Sequence, residues 1–211
     1  MADTIMSNTL AGLFTRSDGS YLFSRWGRPI APVVFGVEDA TLRVVKGAFE
    51  AVAALAGLPM AETDPELGVN LMVFFIRDWA ELLEVPDLDR LIPNLRSLCS
   101  RLTKDEANQY RHFRFDRDGA IKAAFVFLRM DAHLSETSVE TLALAQAVHT
   151  VLLWSDQAFG RQSPLAQSGG TVILRPEIAA VIRAAYDPVL PKVARDPSHA
   201  LRLAARLPRA N

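Results

Sequence analysis

The chain has 211 residues, half of them apolar, which is enough to build one domain around a single buried core. Its 23 lysines and arginines nearly balance its 24 aspartates and glutamates, so net charge does not favour binding to nucleic acid or to an anionic membrane. The one cysteine, Cys99, excludes an intramolecular disulfide and a CxxC metal or redox motif. Because it lies in the apolar run LIPNLRSLCSRL, we expect a small buried core residue.

The beginning of the sequence bears on localisation and on domain organisation. No apolar run approaches the roughly 20 residues that span a bilayer, and MADTIMSNTLAGLFTR lacks the basic region and unbroken apolar core of a secretory signal. We therefore predict a cytoplasmic protein, with a periplasmic location as the alternative if a signal segment precedes this sequence. We divide the chain into an N-terminal segment, 1–20, and a single domain, 21–211. The segment is either frayed or docked through the stripe of Ile5, Leu10, Leu13 and Phe14.

The first third of the domain predicts strands around one helix. Residues 21–37 hold two β-prone runs around Gly27-Arg28-Pro29, which indicates a strand pair or an extended entry strand. A helix capped by Asp39 and ended by Gly57 follows, because its apolar positions have helical spacing. Those positions are Leu42, Val45, Phe49, Val52 and Leu55. The run NLMVFFI, 70–76, predicts a strand that is buried on both faces near the centre of a sheet.

The middle of the chain predicts a helix pair and a hairpin. Apolar residues from Leu88 to Leu102 follow helical spacing with an interruption at Pro93, which favours two helices. The segments YRHFRF and AIKAAFVFLRM flank Asp118-Gly119, a dipeptide typical of hairpin turns, so they are predicted to be paired strands.

The last third is predicted to be helical. Thr137 and Glu140 have the spacing of a capping box for a long helix, 137–156. Pro176 and Pro197 each stand just ahead of a helical pattern, where first-turn prolines are favoured. The stretch 160–170 is predicted to be a loop that could move. Taken together, the elements predict an α+β domain with a mixed sheet of about four to five strands packed by helices.

The predicted long helix carries the candidate site residues, but they do not make a metal centre. A metallopeptidase helix presents two histidines four residues apart with a glutamate as general base, and this sequence has no such motif. His149 and Asp156 share a helix face but stand about 10 Å apart, too far to hold one ion. His149 lies in an apolar run, which favours a hydrogen-bonded residue at the edge of the core. We predict no metal and no cofactor.

The remaining polar motifs point to capping or to no known chemistry. Asp131 and His133 lie between a strand and a helix, where capping by Ser135 or Thr137 explains them as well as a site does. His112 and His199 fall in other elements and would meet the rest only in three dimensions. The sequence has no GxSxG elbow, no phosphate-binding loop and no GxGxxG motif, so hydrolase chemistry is weakly supported and nucleotide binding has no motif behind it.

The predicted hairpin offers an alternative, because residues 110–117 interleave aromatic and cationic side chains as single-stranded nucleic-acid platforms do. Asp105, Glu106, Asp116 and Asp118 flank this patch. Alternation along an antiparallel strand would moreover place the aromatic rings inward and the arginines outward, as on a plain amphipathic edge. Nucleic-acid binding is therefore the third hypothesis for function.

Four short segments resemble an uncharacterised proteobacterial family of unknown function, some of whose members are described as lipoproteins. The segments are FSRWGRPI at 23–30, GVNLMVFF at 68–75, VLLWSD at 151–156 and AAYDPVL at 184–190. The resemblance implies a degenerate zincin-like, metallopeptidase-like fold. Relatives commonly carry a Glu-Glu pair followed by Gln on the long helix, where this chain has Ala145, Gln146 and His149, so both acids are absent. The family also tends to be exported, whereas the sequence here shows no signal.

We therefore expect a pseudoenzyme, a non-catalytic binding or scaffolding protein that acts through contacts with a protein partner and can form oligomers. The alternative is a hydrolase with a pocket over the 137–156 helix, in which His149 is the base and Asp156 or Tyr186 orients it. The candidate pocket residues are Gln146, His149, Asp156 and Tyr186. Binding predicts that the helix face around His149 is closed against the sheet, whereas catalysis predicts that this face lines an open cleft.

Overall fold

The computed structural model describes residues 10–208, so Ile5 of the predicted apolar stripe lies outside the described residues. In chain order, the elements are β1 (Phe23–Ser24), β2 (Pro32–Phe35), α1 (Asp39–Ala56), β3 (Leu71–Ile76), a 3₁₀ helix (Trp79–Glu84), α2 (Leu88–Leu91), α3 (Leu95–Lys104), β4 (Gln109–Phe115), β5 (Ile121–Arg129), α4 (Ala132–Glu136), α5 (Val139–Val151), β6 (Leu165–Ser168), β7 (Thr171–Leu174), α6 (Pro176–Ala185), β8 (Val193–Ala194) and α7 (His199–Ala204).

The main sheet has four strands in the order β2-β3-β5-β4. Strands β2, β3 and β5 are parallel to one another, and β4 pairs antiparallel with β5 at one edge. The α+β class and the mixed sheet are thus confirmed. Strand β3 lies between β2 and β5, as its continuous apolar run predicts, because a strand between two covered faces needs apolar side chains on both.

The sheet separates two apolar clusters. The first core lies on the face that presents Leu71 and Val73, and helices α1, α5 and α6 contribute to it. The second core lies on the opposite face, which presents Phe74 and Phe127, and the 3₁₀ helix, α2 and α3 contribute to it. Cys99, 4% exposed, belongs to the second core, as predicted.

One row of rings crosses all four strands on the second-core face. Phe35, Phe74, Phe127 and Tyr110 occupy successive partner positions in the strand register. Their ring centroids are separated by 4.7, 5.1 and 6.5 Å, and all three pairs are stacked. Phe127 is fully buried at the middle of the sheet, whereas Phe35 at the β2 edge is 43% exposed. Stacked neighbours of this kind stabilise a sheet beyond the burial of their area.

Two details of the first third differ from the sequence prediction. The β-prone runs of 21–37 do not pair with each other: β1 pairs with β8, and β2 enters the main sheet beside β3. Helix α1 has Glu38 at its N-cap, without a side-chain capping hydrogen bond, and Asp39 is its first helical residue. The Asp39 carboxylate still favours the helix there, because it lies near the positive end of the helix dipole.

The predicted long helix is shorter at both ends. Ser138, not Thr137, is the N-cap of α5, since its hydroxyl accepts a hydrogen bond from the Thr141 N–H. Thr137 instead ends α4 and donates to the His133 carbonyl. Helix α5 ends at Val151 because Leu152 is extended and bridges to Arg25. The stretch through Asp156 therefore leaves the helix, so the helical spacing between His149 and Asp156 does not apply.

Two segments expected to be loose are packed or regular. Residues 165–174 form the hairpin β6–β7, whose turn is made by Gly169 and Gly170 in left-handed conformations. The glycines that suggested a loop here are the turn of a hairpin. Over its described part the predicted N-terminal segment is also packed, because Leu10 and Phe14 lie in the first core and Phe14 is 0% exposed.

Candidate binding cleft

A cleft of about 670 Å³ opens beside the edge strand β4. Strand β4 contributes Gln109, Tyr110, Arg111 and Phe113 to one wall, and α5 contributes His149. The other wall consists of residues from the stretch 154–164, including Trp154 and Phe159. The ring of His149 meets Phe159 edge-on, with centroids 5.0 Å apart. The cleft thus combines aromatic walls with a few polar groups, as ligand sites commonly do.

Arg111 is held by amides instead of carboxylates. Its Nε donates to Oε1 of Gln146 at 3.0 Å, and its Nη2 donates to Oε1 of Gln109 at 2.8 Å. The amide Nε2 of Gln146 also donates to Oε1 of Gln109 at 3.0 Å, which closes a three-residue network. No carboxylate lies within 4 Å of the Arg111 guanidinium in the described part of the chain.

The electrostatics of the cleft follow from this network. Burial lowers the pKa of Arg111 to about 10, so the guanidinium stays charged at neutral pH. Burial, and then the Arg111 charge, lower the pKa of His149 to about 3. His149 is therefore a neutral imidazole under physiological conditions and a weak proton acceptor. The charged guanidinium of Arg111 thus lies in the same cleft wall as the uncharged ring of His149.

His149 lines the cleft, which contradicts the expectation that a binding protein would close this helix face against the sheet. Gln146, one turn earlier, is 2% exposed and lies beneath Arg111. The openness expected for a hydrolase is therefore present at His149. The hydrogen-bond partners expected for a catalytic base are absent, because neither Asp156 nor Tyr186 bonds to His149 within residues 10–208.

Asp156 lines the cleft but is engaged elsewhere. Its carboxylate accepts a hydrogen bond from the main-chain N–H of Ser17 at 3.0 Å. Hydrogen bonds from Ser17, with a contribution from the charge of Arg16, lower the pKa of the Asp156 carboxyl. No hydrogen bond joins Asp156 to His149 within residues 10–208, so Asp156 does not orient the imidazole as a catalytic carboxylate would.

Tyr186 lies outside the cleft and has a structural role. Its hydroxyl donates to the carbonyl of Val151 and accepts a hydrogen bond from the N–H of Trp26. The indole Nε1 of Trp26 donates to the carbonyl of Thr150, and that of Trp154 donates to the carbonyl of Val148. These side chains satisfy carbonyls in the last turn of α5, which lack helical partners. The predicted constellation of four residues is therefore divided between the cleft and this helix end.

The outer edge of β4 is unpaired along the cleft. The Arg129 N–H donates to the Asn108 carbonyl, so these two residues are a hydrogen-bonded pair of the antiparallel ladder. Because such pairs alternate along the ladder, the main-chain groups of residues 110, 112 and 114 also bond to β5. The main-chain N–H and C=O groups of Gln109, Arg111 and Phe113 then point away from β5. None of these groups has a hydrogen-bond partner in the described range 10–208. The cleft therefore borders a free row of alternating donors and acceptors.

The hairpin distributes its aromatic and cationic side chains differently from the sequence prediction. Its two strands and turn are present as predicted, with Gly119 in the left-handed region. The expectation that its arginines point outward is wrong for Arg111, which lies on the first-core side with Phe113 and bonds to Gln146. Tyr110 instead packs against the second core. Aromatic and cationic side chains are thus divided between the two faces of β4.

The histidines do not assemble a metal site. Within residues 10–208, no group of three histidine, cysteine, aspartate or glutamate side chains is close enough to hold an ion. His199 is buried, with Nδ1 at 2.9 Å from the Tyr21 hydroxyl. Asp131 is the N-cap of α4, since its carboxylate accepts from the Leu134 N–H, so the segment is a helix entry as expected, but the predicted caps Ser135 and Thr137 are wrong.

Gln109 and Arg111 are the cleft residues that sequence reasoning missed. Both faces of β4 carry cations, so alternation alone does not tell which cation faces the helix. The available signal was Gln146, an amide within an otherwise apolar stretch of α5. A buried amide requires hydrogen-bond partners, and the strand packed against its helix face is the place to look for them.

No helix among residues 10–208 has the length and apolar composition needed to cross a membrane. Comparison of the chain with protein-family models, with curated proteins and with solved structures finds no match.

Proposed function

We propose that this chain is a non-catalytic binding protein that receives an extended segment of a protein partner as an additional strand beside β4. The observation that carries the proposal is the unpaired row of main-chain groups at Gln109, Arg111 and Phe113, which borders an open cleft. A peptide in this position would gain hydrogen bonds from the strand edge and specificity from the cleft walls.

The charge states in the cleft support binding over hydrolysis. A general base works best with a pKa near the operating pH, and the pKa of His149 is lowered to about 3. Asp156 is bound to the Ser17 N–H, and Tyr186 is bound to the Val151 carbonyl, so neither orients the imidazole. The open cleft that a hydrolase would need is present, but it lacks the acid–base pair that hydrolysis would use.

The experiment begins with selection of ligands from a random peptide library displayed on phage. Peptides that bind the full chain are synthesised with single N-methyl groups at successive positions, and their affinities are measured by fluorescence polarisation. Strand addition predicts that N-methylation weakens binding at every second position and is tolerated at the positions between, because alternate N–H groups face the protein.

Two variants of one residue isolate the main-chain contribution. Gln109→Pro removes an outward N–H without removing a ladder hydrogen bond, and edge strands accept proline at such positions. Gln109→Ala removes the same side chain and keeps the N–H. We expect peptide affinity to fall further in Gln109→Pro than in Gln109→Ala, with both variants folded by circular dichroism. The proposal fails if no peptide is recovered, or if N-methylation acts without alternation.

A further inference from the structure

Arg111 differs from Arg28 and Arg206, two other half-buried arginines, in the chemistry of its partners. Arg28 pairs with Asp64 and Glu66, and Arg206 pairs with Asp187 at 2.7 Å. Arg111, in contrast, bonds to two neutral amide oxygens. A guanidinium removed from water is stabilised much more by a carboxylate than by an amide, so this charge lacks its best partner.

The guanidinium is fixed in place and still has donors to offer. Its five N–H groups include those on Nε and Nη2 that Gln146 and Gln109 engage. Nη1 makes no hydrogen bond within residues 10–208. It is also not one of the buried side-chain nitrogens sealed from solvent without a partner, which are Arg25 Nε and His199 Nε2. Nη1 is therefore open to solvent on a residue that lines the cleft, and the amide network fixes the guanidinium that carries it.

The other charged groups of the cleft do not neutralise Arg111. Asp156 is the carboxylate among the lining residues, and it accepts from the Ser17 N–H without coming within 4 Å of the guanidinium. Arg161 adds a second cation to the opposite wall. His149 contributes no charge, because its imidazole is neutral at physiological pH. The cleft beside the free edge is therefore suited to a partner that supplies negative charge.

We infer that the strand received by β4 is acidic, and that one of its aspartate or glutamate carboxylates pairs with the Arg111 guanidinium. This inference rests on the proposed function and names the chemistry of the segment that the cleft selects. Arg111 has its side chain in the cleft wall and its main-chain groups on the free edge. The main-chain groups of Arg111 can thus pair with the added strand, while its guanidinium binds a carboxylate side chain of the same strand.

The test uses a library-selected peptide and its analogues in which each Glu or Asp is replaced singly by Gln or Asn. Against the unaltered chain, one of these replacements is expected to weaken binding by about ten-fold or more, the effect of losing a charge-assisted hydrogen bond. Against Arg111→Met, the same replacement is expected to have little effect. Arg114→Met, which removes a cation from the opposite face of β4, is the matched control and should keep the preference for the carboxylate.

A second variant keeps the test decisive if Arg111→Met does not fold. Gln146→Glu preserves the shape of a side chain 3.0 Å from Arg111 Nε and supplies a carboxylate from within the chain. It should remove the preference for the acidic peptide because the guanidinium is then already paired. Persistence of that preference in either variant would overturn the inference. Peptides that bind with alternating N-methyl sensitivity but without any carboxylate requirement would overturn the role of Arg111 and leave strand addition standing.

Discussion

The hydroxyl of Tyr186 donates a 2.6 Å hydrogen bond to the carbonyl of Val151, the last residue of α5. The same oxygen accepts from the N–H of Trp26 at 3.3 Å. The Tyr186 hydroxyl thus pairs with a carbonyl of α5 and with the main-chain N–H of Trp26, which would otherwise be buried without hydrogen-bond partners. Tyr186 thereby helps to hold the end of α5, the helix that carries His149 and Gln146.

Removing that hydroxyl should therefore lower stability. Tyr186→Phe is expected to decrease the free energy of unfolding by about 1–3 kcal/mol, the cost of leaving buried polar groups unsatisfied. Tyr110→Phe is the control, since no hydrogen bond of the Tyr110 hydroxyl is present within residues 10–208. Urea unfolding followed by circular dichroism measures both. Equal stability of the two variants would contradict the role assigned to Tyr186.

The aromatic row across the sheet predicts a position-dependent cost of truncation. Phe127→Ala should lower the free energy of unfolding by about 3–5 kcal/mol, because Phe127 is fully buried between Phe74 and Tyr110. Phe35→Ala, at the 43% exposed end of the same row, should cost about 1 kcal/mol or less. Chemical denaturation of both variants provides the comparison. A similar cost at both positions would argue that the row does not pack as described.

Gly36 predicts a local steric limit at the end of β2. Its φ is 80°, and a Cβ at this position would lie 2.1 Å from the Phe75 carbonyl oxygen. Gly57 has a similar φ of 65°, but a Cβ there would meet no atom within 4 Å. Gly57→Ala should cost about 1 kcal/mol from backbone strain alone. Gly36→Ala should cost clearly more in thermal or urea unfolding, because β2 and β3 must also separate.

The buried His199 predicts a loss of stability in mild acid. Burial, followed by the charges of Arg202 and Arg206, lowers its pKa to about 4. In the unfolded chain a histidine titrates near about 6.5. Between these values the unfolded chain binds a proton that the folded chain does not, so stability is fully present above about 6.5 and is lost as the pH falls toward 4.

Comparison of His199→Asn with the unaltered chain isolates this contribution. The variant keeps a polar atom for the Tyr21 hydroxyl and removes the titration. Its unfolding free energy should decline less between pH 6.5 and pH 4 than that of the unaltered chain. The imidazole resonances, followed by NMR over the same range, should shift near pH 4. Titration of the His199 ring near its ordinary pKa would count against the assignment.

Much of the fold follows from patterns within single segments. Residues 71–76 are all apolar, which indicates a strand covered on both faces, and β3 lies inside the sheet between β2 and β5. Gly57 ends α1 in the left-handed conformation that its position predicts. The pairing of β1 with β8 involves residues about 170 positions apart, and no local pattern contains it.

The candidate site follows from the sequence less well, because its determinants are contacts between segments. His149 and Asp156 share the cleft as lining residues, but not through a helix. The sequence places Gln146 on the correct helix but does not indicate its partner, Arg111, which comes from a strand 35 residues earlier. Tyr186 is not a cleft residue, because its hydroxyl bonds to the Val151 carbonyl at the end of α5. The side-chain direction of β4 decides the site, and that direction depends on which face of the sheet α5 covers.

The division into two cores has a consequence for the dynamics of the chain. All buried residues of the second core belong to the part of the chain that runs from Phe74 to Phe127. The helices of this core form the continuous connection between β3 and β4. These helices pack chiefly on one another and on one sheet face, so they are suited to detach together without disturbing α1, α5 and α6. Amide hydrogens of α3 should then exchange with deuterium through partial opening, whereas those of α5 should exchange only through global unfolding.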